Sequence, residues 1–150
     1  GFPDKTFLPE NPVSRAEFVK MISAALNISP VYQDVFKDTL PEHWYYSYVG
    51  GAYNAGLIQG NYGYFYPDNK IIRQEAAVII YRSVIDKISQ ANYSFKDSDQ
   101  IADYASEAVE TLAGAGIIKG YDGFFNPNAL MTRAEAASII SNVLSILPRR

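Results

Sequence analysis

Thr132-Arg133-Ala134-Glu135, followed by apolar residues at Ala136, Ile139, Ile140, Val143 and Leu144, is the stretch on which the fold turns. The apolar positions fall at i, i+3, i+4, i+7 and i+8, which is one face of an α-helix. Thr132 and Glu135 form a capping box, the hydroxyl and the carboxylate each satisfying a backbone N–H left open at the helix start. Ser14-Arg15-Ala16-Glu17 reads the same way, with Phe18, Met21, Ile22, Ala25 and Leu26 behind it. Ile72-Arg73-Gln74-Glu75, followed by Ala76, Ile79, Ile80 and Val84, keeps the Arg and the Glu but has no hydroxyl, which weakens its cap by about 1 kcal/mol. The three arginines recur at a spacing of about sixty residues, so the chain repeats one helical unit.

Upstream of each arginine the register is kept. Phe7-Leu8-Pro9, Phe65-Tyr66-Pro67 and Phe125-Asn126-Pro127 each place their Phe eight residues before it. Gly56-Leu57-Ile58-Gln59-Gly60 recurs as Gly116-Ile117-Ile118-Lys119-Gly120, and Phe36-Lys37-Asp38 as Phe95-Lys96-Asp97. A second helix precedes each glycine motif, with Tyr45, Tyr48, Val49 and Ala52 matched by Ala105, Ala108, Val109 and Leu112. Gly56 and Gly116 then read as helix stops, and the stretches 61–69 and 121–128 as turn-rich loops. The chain is therefore expected to be all-α, in units of helix, loop and helix: residues 30–90, residues 91–150, and a partial unit over 1–29 that holds only a loop and a second helix. A unit this short cannot bury both apolar faces alone, so the units are expected to stack or ring a shared core.

The caps explain the hydroxyls and the glutamates but not the arginines. A cation in the first turn meets the positive end of the helix dipole, at a cost of a few tenths of a kcal/mol. Two partners could compensate: a carboxylate of a neighbouring unit, or an anionic ligand gripped by the guanidinium and by the open N–H donors of the helix start. The residues alone leave both open. Arg15→Ala separates them, since loss of ligand binding with helix content unchanged favours the ligand and unfolding favours the internal pair.

In combination these motifs resemble the S-layer homology family: Phe36, Asp38, Trp44, Gly56 to Gly60, Phe65, Pro67 and Arg73 in one unit, and Phe95, Asp97, Gly116 to Gly120, Phe125, Pro127 and Thr132 to Glu135 in the next. The resemblance covers almost the whole chain. It implies a pseudo-threefold domain around a shared helical core, with ligand grooves between neighbouring units. It further implies an extracellular module that holds a larger surface protein or enzyme on the bacterial cell wall, by binding a secondary cell-wall polysaccharide whose pyruvate ketal supplies a carboxylate. Carried onto this sequence, Arg15, Arg73 and Arg133 hold the carboxylate, and Trp44 is either a flat face for a sugar ring or a core residue. Gln59, Gly60, Lys119 and Gly120 of the glycine turns complete the expected glycan site, with Lys119 able to add a charge that Gln59 cannot. The pairing expected to be most intact is Arg15 with Trp44, because the third unit has Asp103-Tyr104 where the second has His43-Trp44, and the groove of Arg133 is expected to be incomplete.

Composition narrows the rivals. With 48% apolar residues the chain can build a core, and no apolar run approaches the roughly 18 to 20 residues of a membrane span. The first residues do not resemble a signal peptide, so the chain reads as mature protein or as part of something longer. A net charge of -3 argues against nucleic acid. The absence of cysteine removes disulfides, thiolate metal sites and a thiol nucleophile. His43 alone cannot build a multi-histidine site, and Asp97-Ser98-Asp99 lacks the glycine and distant glutamate of a calcium loop, so no metal or cofactor is expected. A hydrolase would use paired carboxylates, yet the recurring acids here are accounted for as caps and turns. The remaining rival is a helical repeat that docks a protein partner, which would expose an apolar groove.

Overall fold

The computed structural model describes residues 9–148; Phe7 and Leu8 of the first Phe-x-Pro loop lie outside them. Among the described residues the regular elements are five α-helices and a short 3-10 turn, with isolated antiparallel bridges instead of strands. The helices are α1 (Arg15–Ala25), α2 (Tyr46–Asn54), α3 (Arg73–Val84), α4 (Asp103–Gly114) and α5 (Arg133–Ile146). None of them is long and apolar enough to cross a membrane. The expected helix faces are buried, including Phe18 and Ile22 of α1, Ile79 and Ile80 of α3, and Ile139 and Val143 of α5. Leu144, expected on the packed face of α5, is instead 45% exposed.

The three units close a circle. The residue two before each arginine donates its backbone N–H to the next: Ile71 to the Val13 carbonyl, Val13 to that of Met131, and Met131 to that of Ile71, each at 3.0 Å. These three side chains are almost wholly inaccessible, so the circle lies in the core, where an unpaired amide would be costly. Packing also crosses unit boundaries: α2 packs on α1 and α4 on α3, so the first helix of a unit rests on the second helix of the unit before it.

The glycine motifs act as stops and spacers. Gly56 and Gly116 follow the helix ends at φ of 79° and 76°, and the N–H of Leu57 and of Ile117 reaches back to the Ala52 and Leu112 carbonyls at 3.0 and 2.9 Å, closing a Schellman turn. A Cβ on Gly60 would lie 2.3 Å from the Phe36 ring, and one on Gly120 would lie 2.5 Å from the Phe124 carbonyl oxygen, so the turn needs glycine to lie against the following loop.

The Phe-x-Asp motif fastens the loop between the helices. Asp38 accepts from the N–H groups of Phe65 and Tyr66 at 2.9 and 2.8 Å, and Asp97 from Phe125 and Asn126, both at 2.8 Å. Tyr66 and Asn126 are held with positive φ, a conformation that side-chain-bearing residues adopt reluctantly. Two charge-assisted bonds from one carboxylate stabilise each bend. Asp97-Ser98-Asp99 is thus a turn: Asp97 clamps the loop, and the Ser98 hydroxyl accepts from the Phe95 N–H at 2.8 Å.

Candidate functional site

At each helix start the arginine meets a glutamate of another unit. Arg15 pairs with Glu75, Arg73 with Glu135, and Arg133 with Glu17, the last at 2.8 Å. The pairs form a second closed circle outside the backbone one. Glu17 and Glu135 divide their oxygens: Oε1 accepts from the N–H of Ser14 or Thr132 to complete the capping box, and Oε2 holds the arginine. Arg15 and Arg73 also donate Nε to the Phe65 and Phe125 carbonyls at 2.9 and 2.8 Å, with each guanidinium about 5 Å from the centroid of the same phenyl ring. Burial lowers the Arg73 pKa from the ordinary arginine value, and the Asp97 charge opposes that shift.

The first two N–H donors of each helix start are already used. Arg15 and Ala16 donate to the Asn69 and Pro67 carbonyls, Arg73 and Gln74 to Ala129 and Pro127, and Arg133 and Ala134 to Asn11 and Pro9. In α1 and α5 the next N–H goes to the cap hydroxyl. The dipole that disfavours the arginine is therefore partly quenched by loop carbonyls, and the internal carboxylate compensates the cation.

The middle helix start departs from the other two for a structural reason. Gln74 is buried, donates to Asn128 at 3.0 Å and accepts the Ala102 N–H at 2.8 Å, tying α3 to the third loop and to the start of α4. Ile72 offers no side-chain cap. Ile72→Thr is expected to raise the unfolding free energy by about 0.5 to 1 kcal/mol in urea titration, as the gain of an N-cap hydroxyl dictates.

Two grooves open between units. One, of roughly 590 Å³, is lined by Arg15, by Gln59 and Gly60 of the glycine turn, by Glu75, Ile79 and Arg82 of α3, by Tyr66 and Lys70 of the loop, and by Tyr104 of α4. The other, of roughly 670 Å³, is lined by Arg133, by Glu17, Lys20, Met21 and Ala24 of α1, and by Trp44, Asp68 and Lys70. The two correspond position by position, Glu17, Lys20, Met21 and Ala24 taking the places of Glu75, Val78, Ile79 and Arg82.

Trp44 therefore does not share a groove with Arg15, contrary to the sequence expectation. The first helix of a unit rests on the second helix of the unit before it, which brings Trp44 to Arg133 and Tyr104 to Arg15. Trp44 is also no core residue: it is 53% exposed, its ring lies edge-on to Tyr45, and the Lys20 ammonium stands 5.5 Å from its centroid. Tyr104 is 62% exposed, and its pKa is raised by desolvation and then by the Glu75 charge, with Arg15 acting in the opposite direction. His43 accepts the Leu40 N–H on Nδ1 at 3.1 Å, a local cap ahead of α2.

Gln59 and Gly60 line the Arg15 groove. No glycine-turn residue lines the Arg133 groove among the described residues. Lys119 and Gly120 occupy the exposed turn after α4, and neither they nor Arg73 line the two grooves described. Lys20, Lys70 and Arg82 have no place in the sequence reading, and Tyr104 enters it only as a departure from Trp44, not as the aromatic of the Arg15 groove. Laying the units over one another places Arg82 at the position of Ala24 and Asn142. Arg82 donates to the Leu57 carbonyl at 3.2 Å, as Asn142 does to that of Ile117 at 2.9 Å.

A profile of the S-layer homology domain matches residues 1–19, 35–77 and 94–137, which is more than half the chain. The chain belongs to the S-layer homology family. It is 36% identical over 151 residues to the exoglucanase XynX of Acetivibrio thermocellus, and 34% identical over 151 residues to the amylopullulanase of Thermoanaerobacterium thermosulfurigenes. It is 33% identical over 156 residues to the cellulosome-anchoring protein of Acetivibrio thermocellus. Each match covers 96% of this chain but only 14%, 8% and 34% of the relative. Relatives with unrelated enzymatic names thus share one S-layer homology region, and their catalytic names do not travel with it.

Proposed function

We propose that this S-layer homology chain anchors a larger surface protein or enzyme to the bacterial cell wall by binding an acidic secondary cell-wall polysaccharide whose pyruvate ketal supplies the carboxylate. The supporting observation is the pairing, in each groove, of an exposed aromatic face with several cations: Tyr104 with Arg15, Lys70 and Arg82, and Trp44 with Arg133, Lys20 and Lys70. An aromatic face suits the C–H face of a sugar ring, and the cations suit its acid. A protein-docking array would expose an apolar groove, whereas both of these carry opposed charges.

In this reading units 1–29, 30–90 and 91–150 each contribute walls to the grooves. Arg15 and Arg133 supply the positive floors of the two grooves, Trp44 the sugar platform of the Arg133 groove, and Gln59 and Gly60 the turn wall of the Arg15 groove, while Arg73, Lys119 and Gly120, which line neither, are assigned to a third, equivalent site beside Arg73. The arginines are shared with glutamates, so the lysines and Arg82 carry more of the ligand's charge than the helix-start motif alone implies. The test is binding to purified wall polysaccharide before and after removal of the ketal. A marked loss is expected, only partly reproduced by added salt because sugar hydroxyl and apolar contacts are not screened; equal binding to both preparations rejects the carboxylate.

A further inference from the structure

Lys70 lines both grooves. Its backbone bridges to Ser14, the cap of α1, and the first turn of that helix is the ridge between the two grooves, with Arg15 facing one and Glu17 the other. The equivalent positions in the other units hold Pro12 and Leu130, so only the middle unit places a cation there. We infer that Lys70 is a shared ligand-binding residue that makes the two grooves antagonistic: a carboxylate in one draws the ammonium away from the other. This rests on the acidic-glycan reading above. Lysine suits the role, because its ammonium is a point charge on a flexible stem and no ion pair among the described residues fixes it. One exposed cation changes affinity by about two- to fivefold, which sets the size of the coupling.

The probe is a methyl hexoside carrying a pyruvate ketal. The Trp44 groove is read alone by fluorescence of the chain's single tryptophan, with the other groove closed by Tyr104→Ala and Arg82→Gln together. The Arg15 groove is read alone by calorimetry in Trp44→Ala. The overall constant for filling both grooves of the intact protein is then compared with the product of the two separate constants, a comparison independent of which groove fills first. The expected overall constant is about two- to fivefold below the product, and Lys70→Leu is expected to weaken each groove by a similar factor and to restore equality. Lys70→Gln serves if the leucine variant fails to fold. Equality with Lys70 present, or weakening of one groove only, overturns the coupling while leaving the glycan reading intact. No response to the probe in any variant rejects the glycan reading, and the coupling falls with it.

Discussion

Replacing Arg73 by alanine is expected to lower the unfolding free energy by about 2 to 4 kcal/mol, seen as a lower urea midpoint at unchanged slope. The side chain joins three things: the Glu135 carboxylate, the Phe125 carbonyl at 2.8 Å and the face of the Phe125 ring. Its removal leaves the Phe125 carbonyl without its side-chain donor and one oxygen of the Glu135 carboxylate without its cation, and a desolvated group left unpaired costs more than the intact pair contributed. The value is set below that of a fully buried pair because Glu135 keeps about a third of its side-chain exposure. Arg73→Lys keeps the charge but loses the second donor of the fork, so about 1 to 2 kcal/mol is expected. A loss below about 0.5 kcal/mol in the alanine variant would mean that the circle of ion pairs is structurally idle. Arg15→Ala carries the same liability, so binding measured on that variant has to be separated from its stability.

The helices were legible in the sequence because each signal was local: an apolar stripe, a capping box, a glycine just past the last turn. The repeat made a shared core legible, since one unit cannot bury its own faces, but whether the units stack or close a ring was decided only by the family resemblance. The partner of each arginine was not. Glu75, Glu135 and Glu17 stand in the same motif as the arginines they hold, and within one helix Glu17 is fully explained as half of a capping box. Only the closed geometry shows that its second oxygen faces another unit. The pairing of Trp44 with Arg133 was hidden for a related reason. Sequence order suggests that Arg15 meets the aromatic that follows it, but α2 rests on α1, and its leading edge faces the groove on the far side. Lys70 was invisible in the same way, because a lone lysine in a loop is ordinarily a solvated one until two cavities are seen to share it.

Trp44→Ala is expected to weaken glycan binding in the Arg133 groove by roughly 30-fold, about 2 kcal/mol, in line with truncation of an aromatic anchor. The fold has little to lose by the change, since the indole is more than half exposed and its ring neighbours Tyr45 and Tyr48 each remain packed in α2 or at its start. The thermal midpoint should therefore stay close to that of the parent, which separates this variant from Arg73→Ala. Trp44→Tyr gives the groove the aromatic that its neighbour already has at Tyr104, and a loss of only about threefold is expected, as a smaller ring keeps much of the contact. Lys20 sharpens the comparison: its ammonium lies over Trp44 at 5.5 Å and over Tyr48 at 5.7 Å, so the tryptophan also holds a cation at the groove wall. If Trp44→Ala binds the polysaccharide as tightly as the parent while Tyr104→Ala does not, the Arg15 groove carries the binding alone, and the Arg133 groove, which has no glycine-turn wall among the described residues, is a structural cleft.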